Sequence, residues 1–409
     1  MKRRSFHSTC ILSVLITVIG IVMPGCHHPT SRPSDAGSVS DGSELPEDSV
    51  DSAIMLRVDS ILSGMTLEQM AGQLVFPAIF SVDDESALRQ VAAYAADCHI
   101  GGVVLLKGSS EAARNIADTL SALSCAPPFV AIDAEWGLAM RLNDTPRYPK
   151  NGRISPAVED SILYSYGREV ALECREVGIN MVLGPVLDVL PESTLESGRK
   201  SFLGLRSFGS DVRRVTRRGI SYAKGLEDAG VMSVAKHFPG HGAADEDSHR
   251  HLPLVRKTRE QLDSTDLHPF KKYMSEGLGA VMVGHLKVPA LDSSGVPVSM
   301  SEKILKDMIR DELGFNGLIM TDAINMAGAD GKSAADAIMA GADIVIAPGD
   351  TYGEVMMIAD AVTTGKFPLS QLRDRVRRVL LFKLKFAIPS GSMSSQKPNP
   401  EQVKRALSE

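Results

Sequence analysis

Residues 231–253 read VMSVAKHFPGHGAADEDSHRHLP. The first five, Val231 to Ala235, form a short apolar run of the kind that makes a buried strand. The chain then delivers Lys236 and His237 at once. His241, Asp247, His249 and His251 follow within one loop. Gly240 and Gly242 let the backbone bend sharply, and Pro239 stiffens the exit from the strand. A buried structural loop has no need of so many titratable groups. A loop that brings an imidazole to a substrate does.

The same unit recurs along the chain. Short apolar or β-branched runs occur at Gly72–Ala78, Gly101–Leu106, Pro128–Ile132, Asn180–Leu187, Ala280–Gly284, Gly317–Thr321 and Asp343–Ala347, which with Val231–Ala235 makes eight. Stretches of helical period separate them, at Glu85–Cys98, Ala112–Leu123, Glu159–Val177, Val212–Ala229, Glu260–Glu276 and Glu302–Leu313. Alternating strand and helix imply parallel strands covered by helices. Eight units over about 330 residues predict an α/β fold with a single (β/α)8 TIM-type barrel. A doubly wound open sheet is the alternative. No GxGxxG or GxxxxGK[ST] follows the first strand, so that alternative has no phosphate cradle.

Polar residues stand where the strands end: Asp133, Asp188, Lys236 with His237, His285 and Asp322. A barrel gathers such ends on one face, where active sites are built. Asp188, in Pro185-Val186-Leu187-Asp188, fits two readings, a site residue or a loop brace through Asx-type bonds.

The composition narrows the classes. The chain has 409 residues, a formal net charge of −6 and 44% hydrophobic residues. Mild acidity without a basic, aromatic-interleaved stripe argues against nucleic acid. The five cysteines have no zinc-like spacing. Cys98, Cys125 and Cys174 read as buried thiols, with a Cys125–Cys174 pair as the alternative.

The start of the chain reads as targeting sequence. Lys2, Arg3 and Arg4 precede an apolar Ile11–Met23, too short for a comfortable transmembrane helix of about 20 residues. Met23-Pro24-Gly25-Cys26 resembles a bacterial lipobox, although Met23 and Pro24 are unusual there. An ordinary secretory peptide is the alternative. From His27 the composition turns to Ser, Pro, Gly, Asp and Glu, a disordered tether with a reach of roughly 25–30 Å. The expected organisation is a leader over 1–25, a tether over 26–51 from a lipidated Cys26, a barrel over 52–389 and a short tail over 390–409. A helix is expected at Ser52–Met65. A basic amphipathic helix, Leu372–Lys385, closes the barrel, and a short helix at Pro400–Leu407 carries no assigned role.

The strand-end residues permit a definite chemistry. A carboxylate at Asp322 can serve as nucleophile, general base or metal ligand. His249 can act as acid and base near neutral pH, and Asp247 can orient it. A solvated D-x-D-x-H turn explains the same residues without chemistry. Taken together the trio suggests double-displacement glycoside hydrolysis, with Asp322 attacking the anomeric carbon and His249 serving the leaving oxygen and then water.

The sequence also resembles a known family. KHFPGHG followed by DSH and LP is similar to the signature of the NagZ-type bacterial β-N-acetylglucosaminidases of glycoside hydrolase family 3. Asp133-Ala134-Glu135, Arg141-Leu142, Arg206-Ser207-Phe208-Gly209, Val283-Gly284-His285 and Gly317 to Asp322 match in order, over about Leu56 to Pro389. The resemblance implies a single barrel that removes β-linked N-acetylglucosamine with retention, typically from peptidoglycan fragments. It implies Asp322 as nucleophile, His249 as acid/base and Asp247 as its partner. Asp133, Arg141, Arg206, Lys236 and His237 would hold the sugar. It implies a monomer without metal or cofactor; together with the leader, it implies a lipoprotein of the cell envelope. Two stretches depart from the pattern: where the family reads D-Q-E-G-G-R this chain has Asp133-Ala134-Glu135-Trp136-Gly137-Leu138, with Trp136 and Leu138 at a Gly and an Arg position, and Pro191 to Leu205 is an unusual lead-in to Arg206. Trp136 either stacks on a sugar or fills space beneath the loop.

Rival readings remain. His249-Arg250-His251 invites a metal-dependent barrel hydrolase, but the first strand, ending Phe76-Pro77-Ala78-Ile79, offers no ligand. A substrate-assisted hexosaminidase would use Asp133 and Glu135 as its acid pair. A β-glycosidase or phosphorylase of other sugar specificity, or an inactive wall-binding lipoprotein, completes the set.

Overall fold

The computed structural model describes residues 47–82, 84–192, 203–242, 252–326, 329, 331–387 and 399–408. The leader, Cys26 and the tether as far as residue 46 lie outside the described residues, as do Asp247, His249 and His251.

The strands are β1 (Val75–Phe76), β2 (Ala78–Ser81), β3 (Gly102–Gly108), β4 (Phe129–Ile132), β5 (Met181–Val182), β6 (Met232–Phe238), β7 (Ala280–Val283), β8 (Leu318–Ala323) and β9 (Ile344–Ile346). All pair in parallel, in the order β1-β9-β8-β7-β6-β5-β4-β3-β2. The two ends of this order are neighbours in the chain. Only Pro77 separates β1 from β2. Proline has no N–H to give to a ladder, so the first strand breaks there: β1 pairs with β9 and β2 with β3. The Pro77 carbonyl still accepts from Val104 N at 2.9 Å. The sheet thus closes on itself as a barrel of eight strands whose first member is split. That first strand starts at Val75 rather than at Gly72, because Leu67–Gly72 is helical, held by a Thr66/Gln69 capping box.

The helices are α1 (Glu47–Ser63), α2 (Leu67–Gly72), α3 (Glu85–Asp97), α4 (Ser110–Leu123), α5 (Asp160–Glu176), α6 (Val212–Asp228), α7 (Arg259–Ser264), α8 (Leu267–Ser275), α9 (Lys303–Glu312), α10 (Ala334–Ala340), α11 (Thr351–Thr363), α12 (Leu369–Lys385) and α13 (Pro400–Ser408). Strands covered on both faces read as unbroken apolar runs, and every residue of β4, β7 and β9 is buried.

The expected helix over Glu260–Glu276 is two helices, α7 and α8. Pro269 is the reason: without an N–H it is suited to the first turn of a new helix, not the middle of an old one. The break buries Asp266, whose carboxylate accepts from Lys257 Nζ and Thr265 Oγ1, each at 2.5 Å. At the far end of the chain, α13 buries Val403 and Leu407 and packs on α5. The three described cysteines are free: Cys98 and Cys174 are buried, while Cys125 is exposed and not the buried thiol expected.

Candidate active site

The strand ends meet at one mouth. Asp133 and Glu135 follow β4, Asp188 follows β5, Lys236 and His237 end β6, His285 follows β7, and Asp322 lies in the last turn of β8. Strand β6 supplies two side chains because its ladder with β7 slips: Lys236 faces Met282, and Phe238 already faces Val283. An extra residue on one strand re-aims its side chains. The Lys236–His237 peptide bond is cis.

These side chains are paired. Lys236 Nζ donates to Asp133 Oδ1 at 2.6 Å and to Glu135 Oε1 at 2.8 Å. Arg141 also donates to Asp133. Arg206 grips Glu135 with both ends of its fork, Nε to Oε2 at 2.9 Å and Nη2 to Oε1 at 2.7 Å. A planar guanidinium matches a carboxylate in this way, and such pairs are the strong ones. Glu135 is fully buried, whereas Asp133, Arg141 and Arg206 stay partly open to the mouth. One nitrogen of Arg141, Nε, is buried without a partner among the described residues.

The charges settle one another. Burial opposes ionisation of Asp133 and Glu135, but Lys236 first, then Arg141 and Arg206 respectively, hold both carboxyls below the usual range. Burial likewise opposes the charge on Lys236, and Asp133 and Glu135 outweigh it and raise its pKa. Both acids are therefore ionised acceptors facing cations. That speaks against the substrate-assisted reading, in which this pair must supply a proton.

Asp188 is buried and acts across the strands. Its Oδ2 lies 2.7 Å from His237 Nδ1, its Oδ1 accepts from His241 N at 2.7 Å, and the amide of His237 points at both oxygens at 3.3 Å. The Asx-type loop brace gives way to bonds onto the segment after β6. That segment turns at Gly240, where φ is 126° and a Cβ would fall 2.6 Å from Asp266 Cβ; only glycine fits. Burial opposes the Asp188 charge, and His237 with its hydrogen bond outweighs burial, so its pKa is lowered.

Asp322 has one oxygen on the amide of Ala323 at 2.8 Å. Burial again opposes its charge. His237, His285, the Ala323 amide and Lys236, in that order, hold it below the usual carboxylate range. His285 is buried, with Nδ1 2.6 Å from Ser299 Oγ and Nε2 3.1 Å from the Ala323 carbonyl; burial lowers its pKa. It props the end of β8 from behind.

Six of the eight residues expected from the sequence, Asp133, Arg141, Arg206, Lys236, His237 and Asp322, come together here. Asp247 and His249 lie outside the described residues. The sequence reading missed the central part of Glu135, which it placed only in the rival acid pair. The signal was present: an acid two residues after a strand-end aspartate, in a chain that also offers Lys236 and Arg206. Trp136 is half-buried, with Lys150 Nζ 4.9 Å above its ring. Leu138, at the family's Arg position, is packed in the core. Among the described residues no group of three His, Cys, Asp or Glu is arranged to hold a metal ion.

A closed parallel barrel, with buried carboxylates and cation forks round its C-terminal mouth, defines a class: a (β/α)8 barrel with a charged, polar mouth at the ends of its strands. The family model described as the glycosyl hydrolase family 3 N terminal domain matches residues 66–382, and the chain belongs to that family. It is 33% identical over 304 residues to the beta-hexosaminidase of Nitrosospira multiformis, which covers 70% of this chain and 85% of that protein. It is 31% identical over 333 residues to beta-hexosaminidase A of Pseudoalteromonas piscicida, covering 72% of this chain but only 54% of that longer relative. Among solved structures, a glycoside hydrolase family 3 beta-N-acetylglucosaminidase from Paenibacillus sp. superposes with a TM-score of 0.75 at 27% identity, over 84% of this chain and 68% of that one.

Proposed function

We propose that the chain is a retaining β-N-acetylhexosaminidase that releases terminal β-linked N-acetylglucosamine from peptidoglycan fragments. The observation that carries this reading is the Asp322 carboxylate set at the end of β8 near His237 and Lys236, two residues that also belong to or touch the Asp133–Lys236–Glu135–Arg206 cradle. The names of the similar hexosaminidases and the family signature at 236–253 support the choice of sugar. The leader, with Cys26 as lipid attachment, supports a location at the cell envelope, close to wall fragments, and we take the chain to act as a monomer.

In this reading the sugar enters with its hydroxyls against the cradle. Asp133 and Glu135 only accept, and Lys236, Arg141 and Arg206 only donate, so the cradle reads hydroxyls in both senses. An Asp322 oxygen forms a bond to the anomeric carbon as the bond to the leaving oxygen breaks. His249, oriented by Asp247, gives that oxygen its proton. It then takes a proton from water, which attacks the anomeric carbon and frees Asp322. Two inversions leave the β configuration unchanged. The lowered pKa of Asp322 suits a nucleophile that must be ionised across the neutral range.

The test is a 5-fluoro N-acetylglucosaminyl fluoride, which forms the covalent intermediate faster than it is hydrolysed, followed by peptide mapping. A sugar on the Asp322 peptide supports the reading. Hydrolysis of an aryl N-acetylglucosaminide without an adduct points to substrate assistance. Neither adduct nor hydrolysis leaves a barrel that binds without turnover.

A further inference from the structure

His237 stands between two groups of fixed sense. On one side is the ionised Asp188 carboxylate, 2.7 Å from Nδ1, which can only accept. On the other is Arg206 Nη2, 3.5 Å from Nε2, and a guanidinium can only donate. In its neutral form His237 therefore carries its proton on Nδ1 and turns a lone pair, at Nε2, toward Arg206 and the mouth. His285 is the opposite case. Its Nε2 faces the carbonyl of Ala323, which can only accept, so its proton is on Nε2 and Ser299 Oγ donates to Nδ1. Two histidines on adjacent strands of one mouth are set in opposite tautomers by what lies behind them.

We propose that Asp188 is a positioning residue that makes His237, in its neutral form, a hydrogen-bond acceptor in the mouth, and so selects a sugar hydroxyl able to donate there. The sugar part of this inference rests on the function proposed above. Asp188 is suited to the task because it is fully buried and anchored three times over, by the ring of His237, the amide of His237 and the amide of His241. It cannot swing away without losing all three. Among the described residues, the other charged and titratable groups near His237 are Asp322, Arg206 with Glu135 behind it, and His241, whose ring meets that of His237 edge-on at 5.9 Å.

Neutron diffraction of the deuterium-exchanged protein tests the tautomer directly. Deuterium on Nδ1 of His237 and none on Nε2 is the expected result, with His285 the reverse as an internal control. Deuterium on Nε2 of His237, alone or with Nδ1, overturns the proposal. The selectivity is read with aryl N-acetylglucosaminides carrying fluorine in place of the 3-, 4- or 6-hydroxyl, because fluorine cannot donate. At one position the wild type should lose about 100-fold in kcat/KM. Asp188→Asn can donate to Nδ1 and release the other tautomer, so the same substitution should cost it less than about 10-fold. Equal losses in both enzymes sink the selectivity. Should Asp188→Asn not fold, the neutron arm decides alone. An enzyme inactive on every glycosaminide overturns the proposed function and the sugar part of this inference together, while the tautomer is still decided by diffraction.

Discussion

The two ends of the barrel are built from the same parts and do different things. At the N-terminal end, before β9, Asp343 is fully buried and takes Arg310, Arg378 Nη1 at 2.5 Å and the amide of Ile319 at 2.8 Å. Arg310 Nη1 also donates to the carbonyls of Phe315 and Gly317, both at 2.6 Å. Nearby, Lys383 is buried and donates to Gln73 at 2.6 Å. At the C-terminal end Glu135 is equally buried and equally gripped by two cations. Yet Asp133, Arg141 and Arg206 keep part of their surface on the mouth. A buried ion pair is therefore no sign of function by itself. What distinguishes the mouth is that some of its charged side chains, the Asp133 carboxylate included, stay partly exposed toward a cleft instead of being sealed in.

The largest effect is expected at Asp322. Asp322→Asn should lower kcat on an aryl N-acetylglucosaminide by about 10⁴-fold or more, the scale seen when a nucleophile is removed, with little change in melting temperature. A variant that melts early but keeps its turnover would make Asp322 a structural residue like Asp343.

Lys236→Met probes the mouth as a folded structure. It leaves Asp133 and Glu135 close together with one cation fewer, and breaking a buried pair costs about 3–5 kcal/mol. Urea unfolding should show that loss, and kcat/KM of the folded remainder should fall by about 100-fold through lost charged hydrogen bonds. Unchanged stability would mean that the mouth, unlike the base, relaxes around a missing charge.

Lys383→Met probes the base. Burial pushes the Lys383 pKa down to about 7, well below its value in an unfolded chain. Between pH 7 and 10 the unfolded state then binds the extra proton, so stability rises with pH, by roughly 3 kcal/mol from this group. The variant should lose that rise and keep its kcat. The difference between the two unfolding curves across this window isolates Lys383 from the buried acids Glu173 and Glu227, whose pKa values burial raises to about 8 and about 7.

The smallest effect is expected at Trp136. If its exposed face stacks on a ligand, Trp136→Ala should raise KM about 3- to 10-fold and leave the melting temperature alone. A lower melting temperature with KM unchanged would move Trp136 to the space-filling side.

Much of this was legible in the sequence, for physical reasons. Strands buried on both faces show as short apolar runs, and charges at their ends are visible as abrupt changes of composition. Hence eight strands and the residues Asp133, Asp188, Lys236, His237, His285 and Asp322 could be placed before any coordinate was known. The split of the first strand was less legible. Pro77 is plain in the sequence, but only closure of the sheet shows that its two halves pair in opposite directions around the barrel. The division of α7 from α8 follows from Pro269, yet the burial of Asp266 that accompanies it depends on Lys257, which lies in the preceding loop.

By itself the sequence determined the parallel alternation, the identity of the strand-end groups and the family signature, because each is local in the chain. The tertiary structure decided which charges answer which. Glu135 is bound by Arg206, 71 positions away, and His237 by Asp188, 49 positions away. Sequence spacing cannot encode such pairs. They exist because closing the barrel brings the ends of different strands within hydrogen-bond reach in a place that excludes water, where an unpaired charge is costly and each charge must find its counterpart.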